Sequence, residues 1–113
     1  MKSMRRIFII LAALLPVTLL VSSASWAVTK LETSIFSFDG KDFVRTNTSL
    51  MDKGQSATNT KLDSSSAAYK ALIEKRSYTG PATVFGHDYD SDYAPLIGED
   101  GKLIGAVFVG IPK

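Results

Sequence analysis

The sequence predicts an α+β domain, a five-stranded antiparallel sheet with one short helix covering a face. Three observations predict it. Two apolar runs near the C-terminus, Tyr78 to Phe85 and Leu103 to Ile111, have the length and composition of strands. Two Asp-Gly turns, Asp39-Gly40 and Asp100-Gly101, each stand between apolar stretches, as in β-hairpins. One serine-led stretch, Ser64 to Ile73, carries the i, i+3, i+4 spacing of a helix face.

The chain opens with Lys2, Arg5 and Arg6 and no acid. An apolar run from Ile7 to Val21 and small residues from Ser22 to Ala27 follow. This is the layout of a secretory signal peptide over 1–27. Ser25 and Ala27 suit a cut before Val28, with a cut after Ala24 as second choice. The alternative is an uncleaved anchor, because Ile7 to Ala27 reaches the roughly 20 residues that a membrane helix needs. The domain is then 28–113.

Val28 to Thr33 leads into the first strand. Ile35, Phe36, Ser37 and Phe38 run to Asp39-Gly40-Lys41, and Phe43, Val44 and Arg45 return. Period two puts Phe36 with Phe38 on one face, and Phe43 with Arg45 on one face of the returning strand. Thr46 to Asn59 holds Asn, Thr, Ser, Gly and Lys, which reads as a surface loop. One of Ser64, Ser65 and Ser66 caps a helix of about Ala67 to Lys75, whose apolar face is Tyr69, Leu72 and Ile73. Lys75 and Arg76 complement its dipole. Tyr78 to Ile111 reads as three consecutive antiparallel strands, and the last, Leu103 to Ile111, is expected to be buried on both faces.

The sequence has 113 residues and no cysteine, so a disulfide framework cannot substitute for packing. Without the leader, ten bases stand against eleven acids, which gives no support for a nucleic-acid partner. His87 is the only histidine and sits in turn chemistry, so a histidine metal cluster is excluded. Asp88, Asp90 and Asp92 alternate along a strand, but the glycine and distal glutamate of a calcium loop are missing. No nucleophile elbow or phosphate-cradling glycine loop occurs, so the residues support neither an enzyme nor a cofactor. What remains is a set of amphipathic groups, Arg45, Lys61, Tyr69, Tyr78, Phe85, Tyr89 and Tyr93, placed to meet over one face of the sheet. Such a pocket suits a small anionic ligand.

Several stretches carry a family resemblance: Asp39 to Thr46, Asn59 to Asp63, Ala68 to Leu72, Ser77 to Gly80, Ala82 to Gly86, and Gly101-Lys102 through Phe108-Val109-Gly110. In order and content they resemble single Cache domains of the Cache 3 type, the extracytoplasmic sensory domains of bacterial chemoreceptors and sensor kinases. The resemblance implies a PAS-like fold that binds a small ligand between the sheet and the loop and helix covering it. Receptor relatives carry a long N-terminal helix and a second membrane helix, whereas here only Val28 to Thr33 precede the first strand. Citrate-sensing relatives carry basic residues on the strand after a Ser-Tyr pair, where this chain has Ala82-Thr83, which points away from a citrate-like tricarboxylate.

The expected function is therefore an exported, stand-alone sensory module, periplasmic or secreted, that binds a small anionic metabolite for a membrane receptor or sensor kinase. The alternative is an adaptor or homodimerisation module that docks such a receptor without a ligand. A tyrosine-lined cavity of about 300 Å³ or more favours the first, and a filled interior with an exposed apolar patch favours the second.

Overall fold

A computed structural model describes residues 30–113. The expected leader, both its cleavage positions, and Val28 and Thr29 lie outside the described residues. Seven strands and one helix follow in order: β1 (Glu32–Phe38), β2 (Phe43–Thr48), β3 (Met51–Asp52), β4 (Gln55–Ser56), α1 (Ala67–Ile73), β5 (Tyr78–Val84), β6 (His87–Ile97) and β7 (Leu103–Pro112). The main sheet is antiparallel throughout, in the order β2-β1-β7-β6-β5, and β3 and β4 form a separate small hairpin. This is the expected PAS-like α+β layout. Among the described residues no helix is long and apolar enough to cross a membrane.

Local chemistry sets the turns. The Asp39 carboxylate accepts the backbone N–H groups of Lys41 (2.9 Å) and Asp42 (2.7 Å), while Gly40 takes the positive φ that closes the β1–β2 turn. Asp100 does the same for Lys102 at 3.0 Å between β6 and β7. Ser66 is the helix N-cap, its hydroxyl accepting from the Tyr69 N–H at 3.1 Å. The helix ends at Ile73, short of the expected Lys75, because Lys75 adopts a left-handed conformation (φ 61°). Its Nζ instead donates to the Gly101 carbonyl at 2.6 Å.

The core lies on one face of the sheet, under α1. Phe36, Phe43, Leu50, Leu72, Tyr93 and Phe108 are its large buried side chains. Phe43 makes edge contacts with the rings of Phe36 (6.5 Å) and Tyr69 (5.7 Å), which joins strand to helix.

Three expectations are corrected. The run Leu103 to Ile111 is not buried on both faces: Ala106 and Phe108 pack into the core, while Val107 and Val109 on the opposite face are half-buried and Ile111 is exposed. A bulge opposite Leu96 and Ile97 returns Leu103 to the core side and leaves Ile104 54% exposed. The stretch from Thr46 to Asn59 is not simply a surface loop, because β2 runs on to Thr48 and the β3–β4 hairpin is flanked by Leu50 and Ala57, both in the core. The helix buries Ala68, Ala71 and Leu72, and Ile73 turns outward, because the i, i+3, i+4 set facing the sheet starts one residue earlier than the spacing from Tyr69 suggests.

Candidate functional site

Between the core face of the sheet and the segment leading into α1 lies a cavity of about 410 Å³. Arg45, Lys61, Tyr78, Phe85 and Tyr93, expected from the sequence to share a site, all line it. So do Leu62, Asp63, Ser66, Ala82 and Val84.

Arg45 stands on the same face of β2 as Phe43 and is only 3% exposed. Its Nη1 donates to Thr60 Oγ1 (3.0 Å) and to the Lys61 carbonyl (3.3 Å). Its guanidinium carbon lies 4.9 Å from the centroid of the Phe36 ring and 5.0 Å from that of Phe85. Both rings thus lie within cation–π reach of the guanidinium. Its Nε is buried without a hydrogen-bond partner, and among the described residues no carboxylate pairs with it. Burial lowers the pKa of Arg45, and the neighbouring Tyr93 raises it slightly in return.

Tyr93 sits on β6 beside the central strand β7, 2% exposed, with its ring 4.9 Å from Phe108 and 6.2 Å from Tyr78. Burial pushes its hydroxyl up to about pKa 12, against an opposing pull from Arg45. That hydroxyl forms no hydrogen bond among the described residues. Tyr78 folds back along its own strand, donating to the Pro81 carbonyl at 2.6 Å, in the space left by the missing side chain of Gly80.

Phe85 occupies the tip of the β5–β6 hairpin, where Val84 pairs with His87 and both tip residues, Phe85 and Gly86, have positive φ (51° and 79°). That geometry favours Asn-Gly, and a bulky aromatic in it is strained. The strained residue is the one whose ring covers Arg45.

Lys61 belongs to the rim, its side chain 62% exposed and paired with Asp42 at 3.2 Å. Asp63 lies on the lining as well, held below the usual carboxylate pKa by the N–H and hydroxyl of Ser65. Two expected residues are not brought to this cavity. Tyr69 is turned toward the β1–β2 turn, where its hydroxyl donates to the Lys41 carbonyl at 2.6 Å. Tyr89 packs edge-on against Phe108 at 6.0 Å and lines a separate cleft of about 330 Å³ with Glu32, His87 and Lys113. It shares the face of Tyr93, but four residues of extended chain carry it about 13 Å away.

Asp63, Ser66 and Thr60 were not singled out as site residues. Their position follows from backbone pairing of the segment 59–62 against β2, with Arg45 N–H to the Thr60 carbonyl (2.8 Å) and Leu62 N–H to the Phe43 carbonyl (2.9 Å). In the sequence this segment is marked by the Asn59 to Asp63 stretch of the family resemblance and by the lack of apolar periodicity before the helix. Asp88, Asp90 and Asp92 point away on the opposite, exposed face, and among the described residues no group of three metal-ligating side chains converges.

Comparison with known proteins agrees with this architecture. The family model for the Cache 3/Cache 2 fusion domain matches residues 20–113. No curated protein and no solved structure matches the chain. Cache domains are extracellular sensory modules of signalling proteins, non-catalytic, that bind small molecules in receptors. With its match spanning most of the sequence and the fold in agreement, the chain belongs to the Cache 3/Cache 2 fusion domain family.

Proposed function

We propose that this protein is an exported sensory module that binds a small anionic metabolite in the Arg45 cavity and passes its state to a membrane receptor or sensor kinase, as in chemotaxis. It works without catalysis, on a domain spanning 28–113 released from the signal peptide 1–27 into the periplasm or medium. One observation carries the reading: a guanidinium buried to 3% exposure, with an unpartnered Nε, faces a cavity and has no carboxylate to balance it. An uncompensated buried charge is costly, and an incoming anion is the partner that offsets the cost.

A thermal-shift screen of the exported protein against organic and inorganic anions tests it. A true ligand at a hundred times its dissociation constant adds about 2.7 kcal/mol of stability. Arg45→Lys, which loses the planar fork, should weaken that ligand at least about tenfold by calorimetry, or roughly 1.4 kcal/mol. Equal affinity in both proteins would remove Arg45 from the site. Intact-mass analysis of periplasmic protein should begin at Val28.

The adaptor reading has its own support in the exposed side chains of Ile35, Ile104 and Ile111 outside the core. A screen with no hits, together with a concentration-dependent dimer lost on Ile35→Asp, would favour it.

A further inference from the structure

We propose that the sheet face opposite the core is a docking site for an amphipathic helix of the signalling partner, one whose apolar stripe is bordered on one side by a row of lysines or arginines. The inference rests on the reading of the protein as a module that acts on a receptor, and it names the surface and the chemistry of that contact. It does not depend on what enters the Arg45 cavity.

An antiparallel sheet with one face on its core ordinarily turns polar side chains to water on the other. Here the outward positions of the central strand β7 are Val107, Val109 and Ile111, the valines half-buried and the isoleucine 38% exposed. Register sets Ile35 of β1, itself 47% exposed, on one side of Val107 and Ala94 of β6 on the other. An apolar strip therefore runs along β7, and contiguous apolar surface with a polar rim marks an interaction site. The strip spans β1, β7 and β6, about 10 Å at a strand spacing of about 4.8 Å, which is the width of one helix. A second sheet would also have to cover Asn47 on β2 and Thr79 and Thr83 on β5, which are exposed and polar.

The two borders of the strip differ in charge. On β6 the outward residues beyond Ala94 are Asp92, Asp90 and Asp88, whereas on β1 they are Thr33 and Ser37. Thr79 Oγ1 donates to Asp92 at 2.5 Å and Thr83 Oγ1 to Asp88 at 2.6 Å, so hydroxyls from β5 orient both carboxylates. Among the described residues neither has a cationic partner, and Asp90 has Lys113 at 3.5 Å in an exposed pair. Carboxylates about 6.7 Å apart along a strand match basic side chains at i, i+4 and i+8 of a helix, which rise about 6 Å per step. Complementary charges of this kind fix register and orientation. A second copy does not supply them, because the outward positions of β1, β2, β5 and β7 hold no lysine or arginine.

The test is fluorescence anisotropy of a labelled, helix-stabilised peptide of about 18 residues, with leucines on one stripe and lysines at i, i+4 and i+8 beside it, against the exported protein. A control peptide has glutamates in place of the lysines. The lysine peptide should bind at least about tenfold tighter, with a preference that shrinks as salt rises. The double variant Ile35→Thr, Ile111→Thr keeps β-branched side chains at two exposed positions and should weaken the lysine peptide at least about tenfold. Asp88→Lys with Asp92→Lys should reverse the preference between the two peptides, and unchanged melting temperatures show that both variants are folded. Equal binding of the two peptides, or binding of neither, would overturn the proposal. Binding by protein that begins at Val28 but not by the full-length chain would give the face to residues 1–29 instead. A dimer in sedimentation that excludes the peptide would give it to a second copy. No peptide binding in a protein that still responds to an anion in the thermal-shift screen would remove the docking site and leave the sensory reading standing.

Discussion

Arg45 on β2 and Phe85 at the end of β5 belong to opposite edges of the sheet, yet the guanidinium carbon of Arg45 sits 5.0 Å from the Phe85 ring centroid. The strained hairpin tip and the buried cation hold one another. A desolvated guanidinium gains from a π face, and the ring gains a fixed position in a turn that disfavours it.

Removing the Arg45 charge should nonetheless not unfold the ligand-free protein, because relief of its desolvation offsets the lost ring contact. Arg45→Met keeps much of the volume between the two rings and abolishes an uncompensated buried cation, at the loss of the bonds to Thr60 and the Lys61 carbonyl. We expect a urea midpoint equal to or above that of the wild type, together with loss of anion binding. A loss of more than about 2 kcal/mol would mean that Arg45 is structural first.

The pH dependence on the alkaline side should report Tyr93. Its folded-state pKa is raised to about 12 from 10.0, so the folded state holds its proton longer than the unfolded chain. Stability is fully present below pH 10 and is lost as pH rises through about 12. Two pKa units correspond to about 3 kcal/mol. Denaturation measured at steps across this window should show the slope, and Tyr93→Phe should flatten it. Tyr89, whose hydroxyl burial also raises, contributes in the same direction.

Phe108 is the aromatic on the central strand that touches both Tyr89 and Tyr93, and it is 1% exposed. Phe108→Ala should cost about 3–5 kcal/mol. In a domain this small that approaches the whole stability. Chemical denaturation that finds less than about 1 kcal/mol would contradict its place in the core.

Much of the fold was legible in the sequence because its determinants are local. Asp-Gly at 39–40 and 100–101 specifies hairpins through side-chain capping and positive φ, Ser66 caps the helix, and period two puts Phe43 and Arg45 on one face. The stretches that resemble Cache domains are likewise read directly from residue order. Tertiary structure decided the rest. Whether Arg45 ends in solvent or in the core depends on the segment 59–62 pairing back onto β2 and on Phe85 arriving from the far edge of the sheet. The same packing buries Leu50 and Ala57 out of a polar stretch, leaves one face of β7 partly open, and separates Tyr69 and Tyr89 from the cavity. Periodicity assigns a side chain to a face, but burial and partnership are set by what long-range contacts bring against that face, and no local pattern encodes them.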